Sequence, residues 1–254
     1  MSSISDRRTL TTRRIVFLVI AAAAPLAAMI GNVPLAIVYG NGAGLPVAYL
    51  LAAIVLLCFS VGYAAMSRRV INTGAFYTYI SRAMGKEVGV GAAYLALTSY
   101  TAMSCGLAGG FGYFMHELIK SAAAVSIPWY YLSAAGVAIV ALLGYRSVDL
   151  SAKILGVLMI AEFAVLIVFE VFVLAKHGTH SFPTESFTYK AATSGPFGIS
   201  ALIAFTSFIG FESAALYGEE TKNPEKSIPR ATYIAVISVG VFYVLTAWMI
   251  IGAT

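Results

Sequence analysis

The chain has 254 residues, of which 60% are hydrophobic and 11% are charged, and its formal net charge is +5. Such a composition excludes an ordinary soluble domain and is typical of an all-α integral membrane protein. Both cysteines, Cys58 and Cys105, fall inside apolar segments, so the sequence supplies neither a disulfide framework nor a CxxC site for a metal or redox group. We expect no cofactor and no bound metal.

Seven apolar segments predict seven membrane-spanning helices, numbered here as spans one to seven. Each is long enough, or nearly so, to cross a hydrocarbon core of about 30 Å at about 1.5 Å per residue. The first follows a basic tail, residues 1–14, but it is too long for a signal peptide and lacks a small-residue cleavage site, so we expect it to be retained. The predicted spans are residues 15–39, 46–66, 88–115, 128–144, 150–175, 197–217 and 231–252.

The basic residues fall on one side of the predicted spans. All but three of the 16 Lys and Arg residues precede span one, lie between spans two and three or six and seven, or flank the turn between spans four and five; the exceptions are Lys120, Lys176 and Lys190. Because basic loops remain in the cytoplasm, this asymmetry predicts a cytoplasmic N-terminus in the plasma (inner) membrane. The positive net charge is then explained by the orientation of the protein in the lipid bilayer, and no nucleic-acid partner is needed to account for it.

Span one contains a weak point in its helix. Pro25 and Pro34 each lack a backbone hydrogen-bond donor, and Gly31 and Asn32 weaken the helix between them. The sequence therefore predicts a discontinuous first span.

Span six combines Gly210 and Glu212 at mid-membrane, directly after Thr206 and Ser207. The glycine costs a helix about 1 kcal/mol relative to alanine, and the carboxylate costs roughly 3 kcal/mol or more, so both need a compensating role. Backbone that unwinds at membrane depth lines a cavity enclosed by protein, and transporters hold their substrates at such discontinuous helices. The alternative is a tightly packed, kinked helix. Two interrupted spans, five spans apart, indicate two repeats of opposite orientation.

The loop between spans six and seven is predicted to act as a cytoplasmic gate or hinge, with a simple connector as the alternative. Its Asn-Pro pair is a turn signal, and Ser227 is placed to cap span seven with Pro229 in the first turn. The residues assigned to the gate are Glu219, Glu220, Asn223 and Pro224.

Three stretches carry a resemblance to a known family. Residues 40–85 look like the family's second span and the loop after it, with small, aromatic and terminal glycine residues in the expected order. Residues 208–231, FIGFESAALYGEETKNPEKSIPRA, look like its broken sixth span and the acidic, Asn-Pro and Ile-Pro loop, and residues 151–169 are similar to its fifth span. From residue 15 to its end, the chain resembles the N-terminal half of the amino acid/polyamine/organocation (APC) permease superfamily.

The resemblance implies the LeuT-type fold, in which two inverted five-helix repeats are usually followed by two more helices. Residues 15–176 would then form the first repeat, residues 177–196 an extracytoplasmic loop, and residues 197–254 the first two helices of the second repeat. We therefore expect an incomplete inverted-repeat bundle, a truncated or partial permease, for which the missing C-terminal helices would be a partner.

The resemblance also implies a substrate site between spans one and six. In the family, the broken first span presents backbone amides to a substrate carboxylate, and the broken sixth span presents carbonyls and an aromatic side chain to the amine. Residues 27–31 depart from the Gly-Ser-Gly-like run usual in span one, whereas residues 205–210 match better. The implied binding residues are Ala27, Ala28, Met29, Ile30, Gly31, Phe205, Thr206, Ser207, Phe208, Ile209 and Gly210.

Two intramembrane carboxylates are candidates for proton coupling. Glu162 lies midway along span five, where, by resemblance, proton-coupled relatives place an ionisable lysine. It would bind and release a proton if its surroundings differ between states; the alternative is a neutral glutamate hydrogen-bonded to a neighbouring helix. Glu212 either takes part in coupling or caps the helix that resumes after the interruption.

These features predict a secondary active transporter of amino acids or related amines, driven by protons and working by alternating access. Its partners would be a small-molecule substrate, protons and the bilayer. A seven-helix receptor or sensor is one alternative, although the N-terminus is predicted inside and span seven lacks a lysine for a Schiff base. A non-transporting permease fragment is another. The chain has neither an HExxH motif nor a nucleophile with its base, so we do not expect an enzyme.

Overall fold

The computed structural model describes residues 10–72, 74–146 and 148–253, without the side chains of residues 146 and 148–153. Most of the predicted tail, residues 1–9, therefore lies outside the described residues. Four of the basic side chains used to predict the orientation also lie outside the described part of the chain: Arg7, Arg8, Arg146 and Lys153.

The described residues are mostly helical, and their only strand-like pairing is one isolated parallel bridge between Leu10 and Thr221. This confirms the prediction of an all-α protein. A π-helical turn covers Ala28–Asn32, and a 3-10 helix covers Phe211–Tyr217. The α-helices are α1 (Thr12–Ala22), α2 (Pro25–Ala27), α3 (Val33–Tyr39), α4 (Leu45–Arg69), α5 (Ala75–Met84), α6 (Lys86–Ala123), α7 (Trp129–Arg146), α8 (Val148–His177), α9 (Tyr189–Ala192), α10 (Phe197–Ser207) and α11 (Pro224–Ala253).

Five segments of the described chain are long and apolar enough to cross a membrane. They correspond to predicted spans one, two, five, six and seven. Predicted span three falls in α6, which has 38 residues and many glycines and alanines, and span four falls in α7, whose apolar part is shorter. The five segments are Thr12–Tyr39, Gly42–Arg69, Ile154–Ser181, Phe197–Tyr217 and Pro224–Ala253.

The chain divides into two compact units. The first unit comprises residues up to 78 and from 158 onward, and the second unit comprises residues 79–157. The first unit therefore holds spans one, two, six and seven together with most of span five.

Small residues allow the helices of the first unit to approach closely. Ala48 and Ala52 in α4 are fully buried, as is Ala247 in α11. A Cβ added at Gly240 of α11 would lie 3.0 Å from the Cβ of Ala53 in α4. Such close contact of small side chains drives helix association in membranes, because lipid is as apolar as the helix surface itself.

The second unit is built on an antiparallel pair of helices, α6 and α7. The backbone of Gly112 lies against the Trp129 carbonyl and Ser133, and Gly136 lies against the ring of Phe111. A side chain at either glycine would collide with the opposite helix, so these two positions fix the register of the pair.

One prediction about helix ends is wrong. Span seven begins at Pro224, so Ser227 is not its cap and Pro229 lies inside the helix. The backbone N–H groups of Lys226 and Ser227 both donate to the Asn223 carbonyl, which starts the helical turn directly after Asn223. Pro224 suits the first helical position because the N–H that it lacks would have no partner there.

Candidate functional site

The helix of span one is interrupted after α1. It ends at Ala22, and Ala24 adopts a left-handed conformation with φ 43° and ψ 67°. Pro25 then starts the single turn of α2, which passes through the π-helical turn Ala28–Asn32 into α3. Non-glycine residues seldom adopt a left-handed conformation, and neighbouring contacts must hold such a residue in place.

The helix of span six is interrupted after α10. It ends at Ser207, and the chain resumes as the 3-10 helix Phe211–Tyr217. Gly210 has φ 107°, which side-chain-bearing residues rarely adopt. Its N–H donates to the Glu212 carboxylate at 3.0 Å, and the Glu212 carbonyl accepts a hydrogen bond from the Tyr63 hydroxyl at 2.7 Å. Glu212 therefore satisfies a backbone group at this interruption.

The two interruptions lie against each other. A Cβ added at Gly210 would be 2.9 Å from the carbonyl carbon and oxygen of Ala22, and 3.1 Å from the nitrogen of Ala23. Only glycine combines the required backbone angle with this close approach. The bare backbone of span six thus rests on the backbone of span one where both helices are irregular.

Ser207 connects three spans at the same level. Its Oγ accepts a hydrogen bond from Asn32 Nδ2 at 2.8 Å, lies 3.0 Å from the Tyr49 hydroxyl, and donates to the Ile203 carbonyl at 3.0 Å. Spans one, two and six are therefore joined through one hydroxyl group, which has the two lone pairs and the single proton that these bonds need.

Span seven reaches the interruption of span one through Tyr243. Its hydroxyl donates to the Ala23 carbonyl at 3.1 Å. Its ring packs edge-on against Phe208 and Tyr49, with centroid distances of 5.2 and 6.1 Å. All three rings are almost completely buried, so they form a rigid wall beside the two interruptions.

Span five reaches the same interruption through Glu162. Its Oε2 accepts a hydrogen bond from the backbone N–H of Leu26 at 3.4 Å. Glu162 is partly exposed, and one turn further along the helix Leu166 is buried in the core of the first unit. The carboxylate therefore faces the irregular backbone of span one.

The predicted binding residues differ in their burial. Ala28, Met29, Ser207, Phe208 and Gly210 are buried, whereas Gly31, Phe205 and Ile209 are partly buried. Ala27, Ile30 and Thr206 are exposed, and the Thr206 hydroxyl donates to a carbonyl of its own helix. The buried group belongs to the contact between spans one and six, and the exposed group faces away from the packed core.

Sequence reasoning did not single out Tyr49 or Tyr243, and it interpreted Asn32 only as a helix-weakening residue. All three make hydrogen bonds at the interruptions. Polar side chains at the middle of apolar spans were the available signal, since such groups need partners within the membrane.

The predicted gate lies at the end of the first unit that also carries Leu10. The Leu10 N–H donates to the Glu220 carbonyl at 3.0 Å, and the Lys222 N–H donates to the Leu10 carbonyl at 3.2 Å. The Thr12 hydroxyl donates to Ser227 Oγ at 3.0 Å. Glu219, Glu220 and Asn223 are exposed, and Pro224 is buried. The loop is thus tied to the start of span one.

Among the described residues, no group of three or more His, Cys, Asp or Glu side chains is close enough together to hold a metal ion. The polar groups of the site are carboxylates, hydroxyls, one amide and the backbone groups that bind them. Such groups bind small polar molecules or protons.

Comparison with known proteins matches residues 14–254 to the family described as amino acid permease. The low-affinity putrescine importer PlaP of Escherichia coli K12 is 27% identical over 211 residues, covering 81% of this chain and 45% of the importer. The branched-chain amino acid permease BcaP of Bacillus subtilis is 24% identical over 231 residues, covering 83% and 48%. The chain therefore spans about half the length of these relatives. No solved structure matches it at a significant level.

Proposed function

Because the chain belongs to the amino acid permease family, we propose that it acts in the secondary active transport of amino acids or related amines. Its apolar helices and its relatives make it a multi-pass membrane protein. In this proposal it lies in the plasma (inner) membrane with its N-terminus in the cytoplasm, as the positions of its basic residues indicate.

The contact between the two interruptions is the observation that carries the proposal. Gly210 approaches the backbone of Ala22 and Ala23 so closely that no side chain fits between them. Irregular backbone at membrane depth is tolerated only where protein or water satisfies it, and transporters use such places to bind their substrates. Residues 27–31 and 205–210 are the segments proposed to surround the substrate.

The proposed mechanism is alternating access about this contact. In the inverted-repeat interpretation, residues 15–176 form the first repeat and residues 197–254 the first two helices of the second, with the helices that complete the second repeat as partner. The loop with Glu219, Glu220, Asn223 and Pro224 is proposed as a gate. Its backbone bonds to Leu10 support this role, since they join the loop to the half of span one that precedes the interruption.

Glu162 is the better of the two candidates for proton coupling. It reaches the interruption of span one from a different helix, so a movement of span one relative to span five would change its surroundings. Protonation then depends on the conformational state, which is the requirement for coupling. The Glu212 carboxylate binds the N–H of Gly210, within its own segment, and this contact supports a capping role.

The names of the relatives indicate which substrates to test. One relative is named for putrescine and another for branched-chain amino acids. The experiment is uptake of labelled amino acids and putrescine into proteoliposomes that contain the complete gene product with these 254 residues. We expect accumulation that requires an imposed pH gradient. Uptake that equals that of empty liposomes for every compound would contradict the proposal.

A further inference from the structure

The position of Glu162 bears on the chemical class of the substrate. Its carboxylate accepts a hydrogen bond from the Leu26 N–H, just after the interruption of span one. In transporters with discontinuous helices, the backbone N–H groups freed by an interruption bind the anionic group of the substrate. Here a carboxylate of the protein itself already lies at one of these N–H groups.

The charges of the surrounding spans favour a positively charged ligand. Residues 15–67, 154–175, 197–217 and 231–253 contain no Lys or Arg, so the cationic side chains of these spans are confined to their ends. A substrate carboxylate approaching Glu162 would meet like charge in surroundings of low dielectric constant. An ammonium group would meet opposite charge, which is worth more there than in water.

Oxygen atoms that accept hydrogen bonds from an ammonium group are available at both interruptions. The distance of 3.4 Å between Leu26 N and Glu162 Oε2 is long, and a carboxylate has about four acceptor positions, so Glu162 retains capacity for a further donor. At span six, the Ser213 hydroxyl is buried and has no hydrogen-bond partner within the described part of the chain. Buried polar atoms without a partner are uncommon, and a polar ligand would supply one.

We propose that this site selects amines without a carboxylate over α-amino acids. The inference rests on the proposed transport function and specifies its substrate class. In its ionised form, Glu162 takes the place of the substrate carboxylate at span one and binds the ammonium group of the substrate, so the proton and the ammonium group occupy this carboxylate in turn. An amino acid is disfavoured because its carboxylate competes with Glu162 for one N–H group and is repelled by it.

The test compares pairs of compounds that differ by one carboxylate: putrescine with ornithine, cadaverine with lysine, and isoamylamine with leucine. Counterflow into proteoliposomes of the complete gene product is measured without a pH gradient. We expect each amine to reach half-maximal exchange at a concentration at least about tenfold below that of its amino acid. Equal or better exchange of the amino acids overturns the inference and leaves the transport proposal standing. Exchange of none of the six compounds overturns the transport proposal, and this inference with it.

A charge-removing variant tests the role assigned to Glu162. In Glu162→Gln, we expect the preference for the amine to fall to less than about threefold, because the repelling charge is gone. Glu170→Gln is the matched control, since Glu170 lies on the same helix and is also partly buried but binds Thr246 of α11 instead. It should keep the preference.

Glu162→Asp keeps the charge and should also keep the preference, even with slower exchange. If Glu162→Gln does not fold, Glu162→Asp provides the test instead. Loss of the amine preference in Glu162→Asp would contradict a role for the charge. An unchanged preference in folded Glu162→Gln protein, which elutes as a single symmetric peak, would likewise overturn the inference.

Discussion

The interruptions of spans one and six have their backbone groups satisfied by different means. In span six, the N–H of Gly210 is bound by the side chain of Glu212, two residues away. In span one, the groups are bound from other helices, the Ala23 carbonyl by Tyr243 of α11 and the Leu26 N–H by Glu162 of α8. The Gly210 bond needs only its own segment, although the Glu212 carbonyl is also bound by Tyr63 of α4. The two bonds of span one exist only when three spans have assembled.

The two irregular segments therefore have different sources of stability. A backbone group without a partner costs several kcal/mol in the membrane, so span one depends on the surrounding bundle for its irregular conformation. Changes in α8 or α11 should therefore disturb span one while leaving span six intact. Changes at the contact itself should disturb both.

Substitution of Gly210 should have the largest effect, since this residue belongs to both interruptions. In Gly210→Ala, the new Cβ would be 2.9 Å from the Ala22 carbonyl, at a backbone angle that alanine rarely adopts. We expect transport to be lost and stability to fall by about 2–4 kcal/mol. Thermal unfolding of the detergent-solubilised protein measures the change.

Gly62→Ala is the control for this variant. A Cβ at Gly62 in α4 meets nothing within 4 Å, so alanine should leave stability unchanged or raise it slightly. If the two alanine variants unfold at the same temperature, the close contact at Gly210 does not hold the interruptions together.

Glu162→Gln should have the next largest effect, and it acts on span one alone. We expect accumulation driven by a pH gradient to fall at least about tenfold, because glutamine cannot take up the proton, while exchange is partly retained. Uptake across a range of pH gradients measures this. Glu170→Gln provides the comparison and should retain its dependence on the gradient. An unaltered pH dependence in Glu162→Gln would exclude proton coupling through this residue.

Ser207→Ala tests the link between the two irregular spans. The change removes the acceptor of Asn32 and the partner of Tyr49, and we expect stability to fall by about 1–3 kcal/mol. Ser60→Ala should cost less, because within the described residues Ser60 bonds only to the Leu56 carbonyl of its own helix. A double-mutant cycle with Asn32→Ala isolates the bond across spans one and six. Strict additivity in that cycle would show that the bond contributes nothing.

Tyr243→Phe should have the smallest effect on stability, about 1 kcal/mol, since only the hydrogen bond to the Ala23 carbonyl is lost and the ring contacts remain. Tyr233→Phe on the same helix is the control. Proteolysis or cysteine labelling near residue 24 should reveal whether span one loosens while span six stays protected. Equal loosening of both segments would contradict their separate sources of stability.

Much of the fold could be predicted from the sequence, because it follows from composition and short motifs. The all-helical membrane character follows from long apolar segments, and the family follows from stretches such as residues 208–231. The residues at which helices begin were harder to predict from the sequence. Ser227 is a typical cap residue, but the turn begins at Pro224 because the Asn223 carbonyl accepts two backbone hydrogen bonds.

The partners within the candidate site could not be predicted in the same way. Asn32 and Ser207 are 175 residues apart, and Tyr243 and Ala23 are 220 residues apart, so no local pattern connects them. Sequence identifies a polar residue in an apolar span as one that needs a partner, but packing of the assembled spans chooses which partner it finds.

The bridge between Leu10 and Thr221 joins the start of span one to a residue that is synthesised much later. Chains grow from the N-terminus, so Leu10 and α1 leave the ribosome long before Thr221 and Ser227 exist. The hydrogen bonds that satisfy the irregular backbone of span one can therefore form only after spans five to seven have been made. Span one is thus synthesised first but completes its contacts last. Any delay in the synthesis of the later spans prolongs the period in which span one can pair wrongly.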